Sequence, residues 1–200
     1  MIHRIFVLYS KLPGGRTPED EVSDYLRRLS AETGDELQRA DPAETPGEIV
    51  IVFAASGGTA SCLKELYDRC GAKRWIILNQ GEGNALSASM QMATFLHERG
   101  AKYEVLFGSA EEVAPRLKPY LAIIRLLRDL KGLKIGAIGT PSDWLIANDT
   151  DRAAISSRFG VTFTDIPIRE LEEAYRDGYY EETTLTKAIQ SHSFHESLFI

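Results

Sequence analysis

Two hundred residues with 44% hydrophobic content can bury a full core without disulfides, as one large α/β domain or as one domain and part of another. Lysine and arginine total 23 against 29 aspartate and glutamate, and the formal charge of -6 repels a phosphate backbone, which argues against nucleic acid as a partner. The stretch from Met1 to Tyr9 lacks the basic flank, apolar core and cleavage site of a signal peptide, and no apolar run reaches the roughly 18 residues of a membrane span. The expectation is a cytoplasmic, reduced protein with no membrane association.

Ile5 to Tyr9 reads as a buried strand. Thr17, Pro18, Glu19 and Asp20 then supply an N-cap, a first-turn proline and acidic residues at the positive end of a helix. Val22, Leu26 and Leu29 form the inward stripe of that helix, and Gly34 ends it. Glu36 to Arg39 is a short strand candidate before a Pro-rich linker. Ile49 to Ala55 is a continuous apolar run of the kind found in central parallel strands, and it enters Ser56, Gly57, Gly58 and Thr59.

The next helix turns Leu63, Leu66, Tyr67 and Cys70 toward the core and stops at Gly71. Cys62 and Cys70 lie in it about 12 Å apart along the axis, too far to bridge. Trp75 to Leu78 is another buried strand, with Asn79 to Asn84 as its loop. Leu86, Met90, Ala93 and Leu96 follow at helical spacing, with His97 in the last turn, where the negative helix end favours it. Tyr103 to Phe107 is a strand, and Ser109 to Glu112 has the pattern of a capping box. Pro115 and Pro119 are expected to break or kink the helix that follows, before a second helical stretch from Tyr120 to Leu130.

The same rhythm restarts with a strand at Ile135 to Ile138, a helix from Arg152 to Phe159 closed by Gly160, a strand over Val161 to Ile168, and a helix from Arg169 to Arg176. Alternating strands and helices imply an α/β fold: a three-layer, flavodoxin-like or Rossmann-like parallel sheet with ligand-facing loops at the carboxyl ends of its strands. An N-terminal α/β domain is expected over residues 1–132, and the start of a second, truncated α/β domain over 133–200. The tail from Tyr179 to Ile200 is less regular.

Three strand-end loops offer chemistry. Ser56, Gly57, Gly58 and Thr59 present a flexible backbone with free N–H groups to hydroxyl or anionic oxygens, or form only a tight turn. Asn84 either contacts a ligand or caps the helix beginning near Ala85. The dinucleotide fingerprint fails at Leu86, where its third glycine belongs, and no phosphate loop occurs. Thr140, Ser142, Asp143 and Trp144 combine hydroxyls, a carboxylate and an aromatic ring able to stack on a sugar face; alternatively Ser142 or Asp143 caps a turn while Trp144, Leu145 and Ile146 pack on a neighbouring segment. His192, His195 and Glu196 fit no standard metal spacing and read as a surface or interface tail.

Val52 to Thr59 (VFAASGGT), Asn84 to Ser89 (NALSAS) and Gly139 to Ala147 (GTPSDWLIA) together resemble the N-terminal region of the L-fucose and L-arabinose isomerase group of aldose-ketose isomerases. That group tends to carry Gly-Gly-Thr-Glu, Asn-Ser-Leu and Gly-x-Pro-Ser-x-Trp-Leu-Ile; here Ala60 stands for the Glu and Ala85 for the Ser. The resemblance implies a chain that encloses a sugar or polyol, often across a homo-oligomer interface, while manganese held by a Glu, an Asp and a His of later domains polarises the substrate. Nothing in the chain matches those ligands, so no catalytic residue and no cofactor is expected within it. The preferred expectation is the substrate-enclosing part of a ketol isomerase, inactive alone; the alternative is a stand-alone sugar-binding or regulatory α/β domain.

Overall fold

The computed structural model describes residues 1–10, 19–70, 74–81, 84–142, 144–146 and 150–178. Along the chain run β1 (Ile2–Leu8), α1 (Glu19–Thr33), β2 (Glu36–Arg39), β3 (Ile49–Ala54), α2 (Ala60–Cys70), β4 (Arg74–Asn79), α3 (Ala85–Glu98), β5 (Lys102–Phe107) and α4 (Ala110–Leu130). Then follow β6 (Lys134–Ile138), α5 (Arg152–Phe159), β7 (Thr162–Ile166) and α6 (Ile168–Asp177). The chain divides into two units, Met1–Arg128 and Asp129–Ile200.

The first unit is a flavodoxin-like α/β layer structure. Its five strands are all parallel, in the order β2-β1-β3-β4-β5. The continuous apolar runs of β3 and β4 are buried on both faces, as a central parallel strand requires. On one face Ile5, Ile51, Phe53, Ile76 and Leu78 pack with Tyr25 and Leu29 of α1 and Val113 and Leu117 of α4. On the other, Val50, Val52, Trp75 and Ile77 meet Leu63 and Leu66 of α2 and Met92 and Leu96 of α3.

The connection from β2 to β3 carries no helix. The Pro-rich linker is instead fastened by Arg69 of α2, whose guanidinium donates to the carbonyls of Pro42 at 2.5 Å and Glu44 at 2.9 Å. In α3 the buried side is Ala85, Ala88, Ser89, Met92, Ala93 and Leu96, whereas Leu86 and Met90 are exposed. Small residues on the inner side let the helix sit close above bulky Trp75 and Ile77.

The expected break at Pro115 and Pro119 does not occur: α4 is a single helix through both prolines. Its apolar positions Val113, Ala114, Leu117 and Leu121 are all buried against the sheet. Burial of that stripe outweighs the roughly 3 kcal/mol that an interior proline costs a helix.

In the second unit β6 and β7 pair in parallel, from Lys134 with Thr162 to Ile138 with Ile166. Asp151 caps α5 by accepting from the Ala154 N–H at 2.8 Å, and Gly160 closes it in the left-handed conformation. Neither α5 nor α6 has a buried residue.

Candidate functional site

From β1 the chain moves outward to β2, and from β3 it moves the opposite way to β4 and β5. The direction of winding therefore reverses between β1 and β3, the point at which ligands bind in open parallel sheets. Ser10, two residues past the end of β1, joins that end to the loop after β3. Its N–H donates to Ser56 Oγ at 3.0 Å and its hydroxyl donates to the Gly57 carbonyl at 2.7 Å. Nothing in the sequence pattern singled out Ser10, because its partners lie 46 and 47 residues away.

Within the second loop Ser56 is buried and its Oγ is engaged by Ser10. Thr59 is wholly buried, donates its hydroxyl to the Ser56 carbonyl at 3.1 Å, and accepts from the Cys62 and Leu63 N–H groups to start α2. Gly58 is exposed, with φ +73°. The side chains of Ser56 and Thr59 build the frame of this loop, and Gly58 is its exposed part.

The β4–α3 loop is shaped by Asn79, another residue missed at the sequence level. Asn79 is fully buried at the end of β4; its carboxamide donates to Ser89 Oγ at 2.8 Å and accepts from the Gly81 N–H at 2.5 Å. Its own carbonyl accepts from Gly108 N–H at 3.0 Å, which ties this loop to the one after β5. An Asn closing a run of buried apolar residues is the signal that points to such a role, since a buried amide has to be satisfied. Asn84 is exposed and left-handed, φ +61°, and precedes α3 without a side-chain cap bond. Its carboxamide is not used as a helix cap.

Beside this loop lies a cleft of about 320 Å³ between α1, Gln80 and the start of α4. Glu21, Asp24, Arg28, Ser109 and Glu111 form its polar walls. Arg27 at 2.5 Å and Arg28 at 2.7 Å from Asp24 hold its carboxyl below the ordinary value, the Arg27 hydrogen bond being the larger cause. Backbone N–H donation and the Ser109 hydroxyl hold Glu111 low as well. Both carboxylates are therefore anionic at neutral pH. Tyr25 forms the floor, its hydroxyl donating to the Gly108 carbonyl at 3.1 Å; burial pushes its pKa up, so it stays a neutral donor.

Thr140 follows β6 and so belongs to the second sheet, not to the five-stranded one. It lines a crevice of about 470 Å³ at the carboxyl ends of β6 and β7, with Asp165 opposite and Ile138 and Ile168 as apolar walls. Arg152 pairs with Asp165 at 2.5 Å. Trp144, Leu145 and Ile146 are exposed rather than packed, Trp144 at 80%, and Ser142 accepts from the Leu145 N–H in a turn. Asp143, His192 and His195 lie outside the described residues.

Among the described residues no group of three His, Cys, Asp or Glu side chains is placed to hold a metal ion. They do not fit the manganese site that the resemblance implies, and what they offer is hydrogen bonding and ionic contact. No helix among them is long and apolar enough to cross a membrane. The class these observations define is a doubly wound α/β domain with a polar cleft at the carboxyl edge of its sheet. No protein-family model matches the chain, and no match among curated proteins reaches significance.

Proposed function

We propose that the five-stranded unit holds a polyhydroxylated small molecule, a sugar or polyol, at its carboxyl edge, as the substrate-enclosing part of a sugar ketol isomerase. The observation that carries this reading is the cleft of about 320 Å³ walled by Glu21, Asp24, Arg28 and Gln80. Carboxylates accept and guanidinium and amide groups donate, which matches neighbouring hydroxyls that each do both. Three carboxylates against one arginine in the walls repel a phosphorylated or otherwise anionic ligand and leave a neutral one favoured. The motifs shared with the fucose and arabinose isomerase group supply the substrate class.

Turnover is not expected from this chain alone. Isomerisation moves a proton between adjacent carbons and needs a positioned base with an electrophile on the oxygens, which the resemblance assigns to later domains. The test combines amide chemical-shift mapping with a turnover assay, using L-fucose, L-arabinose and D-arabinose with and without manganese. Binding in the millimolar range, about 4 kcal/mol, with shifts at Asp24, Gln80 and Ser109 and no ketose formed, is the expected result. Shifts absent from that cleft at saturating sugar overturn the reading. Manganese-dependent turnover abolished by His192→Ala and His195→Ala overturns it too, and moves the site to the tail.

A further inference from the structure

At the opposite, amino edge of the same sheet a group of charges surrounds one buried carboxylate. Asp35, between α1 and β2, is 5% exposed. Its Oδ1 lies 3.5 Å from the Met1 amine, 3.6 Å from His3 Nε2 on β1 and 3.3 Å from Arg125 Nη1 on α4. His3 is 3% exposed, and neither of its ring nitrogens has a hydrogen-bond partner. Pairing with Leu37 of β2 holds the His3 backbone in its strand, and burial confines the ring.

Arg125 joins the C-terminal half of α4 to this cluster. Leu121 is the last fully buried residue of the helix; beyond it Ile123 and Leu126 are exposed, Leu127 and Leu130 are half-buried, and Ile124 packs, half-buried, against the core. The Arg125–Asp35 pair adds an ionic attachment of this half to the amino edge.

We propose that the amino edge carries a pH-operated latch: proton uptake by His3 drives Arg125 off Asp35 and frees the C-terminal half of α4. The groups facing His3 are Asp35, the Met1 amine and Arg125, so one carboxylate already serves two cations. A third positive charge, on a ring that cannot leave its strand, has to be relieved. Arg125 is the cation that moves at least cost, because its side chain is already 42% exposed whereas that of His3 is 1% exposed. Burial, opposed by Asp35, holds the imidazole below its ordinary value of 6.5. The latch is therefore closed at neutral pH and opens on the acid side of that value.

Hydrogen exchange of the full chain, corrected for the intrinsic pH dependence of amide exchange, tests this at about pH 7.5 and about pH 5. Amides of residues 122–130 are expected to exchange about fivefold or more faster at the acid pH, beyond any rise in β3, and His3→Gln removes that response. Arg125→Gln leaves the same amides fast at both pH values. A wild-type response retained in His3→Gln overturns the latch, as does full protection at neutral pH in Arg125→Gln, or a rise in β3 equal to that of the helix end. Should His3→Gln fail to fold, the two outcomes for Arg125→Gln decide alone.

Discussion

Gly58 adopts φ +73°, a conformation that costs a β-branched residue roughly 1–3 kcal/mol, and a Cβ there would sit 3.5 Å from Ser10 Oγ. Gly58→Val is therefore expected to lower unfolding stability by about that amount. Ala60→Glu, at the first residue of α2, places a carboxylate at the positive helix end and is expected to change stability by no more than about 0.5 kcal/mol. Urea unfolding of both variants checks the contrast; equal midpoints remove Gly58 from the argument. The Gly-Gly pair was legible as a turn in the sequence, and the positive φ that such a strand-end turn can need falls on Gly58.

Among the elements, α4 shows most directly how local signals and packing combine. The capping box forms as the sequence predicts: the Ser109 N–H donates to Glu112 Oε2 at 2.8 Å, and the Glu112 N–H approaches Ser109 Oγ at 3.4 Å. Gly108, at φ +133°, leaves the space the carboxylate occupies, since a Cβ there would lie 2.5 Å from Glu112 Oε2. Ser109→Ala and Glu112→Ala are each expected to cost about 1 kcal/mol, and together less than the sum, because the two bonds are reciprocal. Thermal unfolding of the two single variants and the double variant measures the coupling; strict additivity contradicts it. At the exposed edge of the sheet, Arg116 of the same helix pairs with Glu104 at 2.9 Å and donates to the Val105 carbonyl at 3.4 Å, which occupies an edge acceptor of β5.

At the scale of the whole molecule, both core clusters lie within residues 1–128, whereas in the second unit Val161 is the buried apolar residue among those described. A two-stranded parallel sheet with little burial is not stable by itself. A chain ending at Arg128 is expected to unfold cooperatively, within about 5 °C of the full chain. Calorimetry tests this, and a broad transition with strong dye binding counts against the first unit as an independent folding unit.

The apolar runs Ile49 to Ala55 and Trp75 to Leu78, and the strand-helix alternation around them, determined the α/β class and the parallel sheet by themselves, since a strand buried on both faces must read as continuously apolar. Glycines and caps marked most helix ends for the same local reason. Helix continuity at Pro115 and Pro119 was a tertiary decision, taken by burial of Val113, Leu117 and Leu121 against the sheet. So was the site. Ser10 meets Gly57, Asn79 meets Ser89, and Glu21 and Asp24 come to face Gln80 and Glu111 only because the strand order brings separate loops to one edge. Local propensity reaches about one helical turn, and these partners lie from about ten to ninety residues apart.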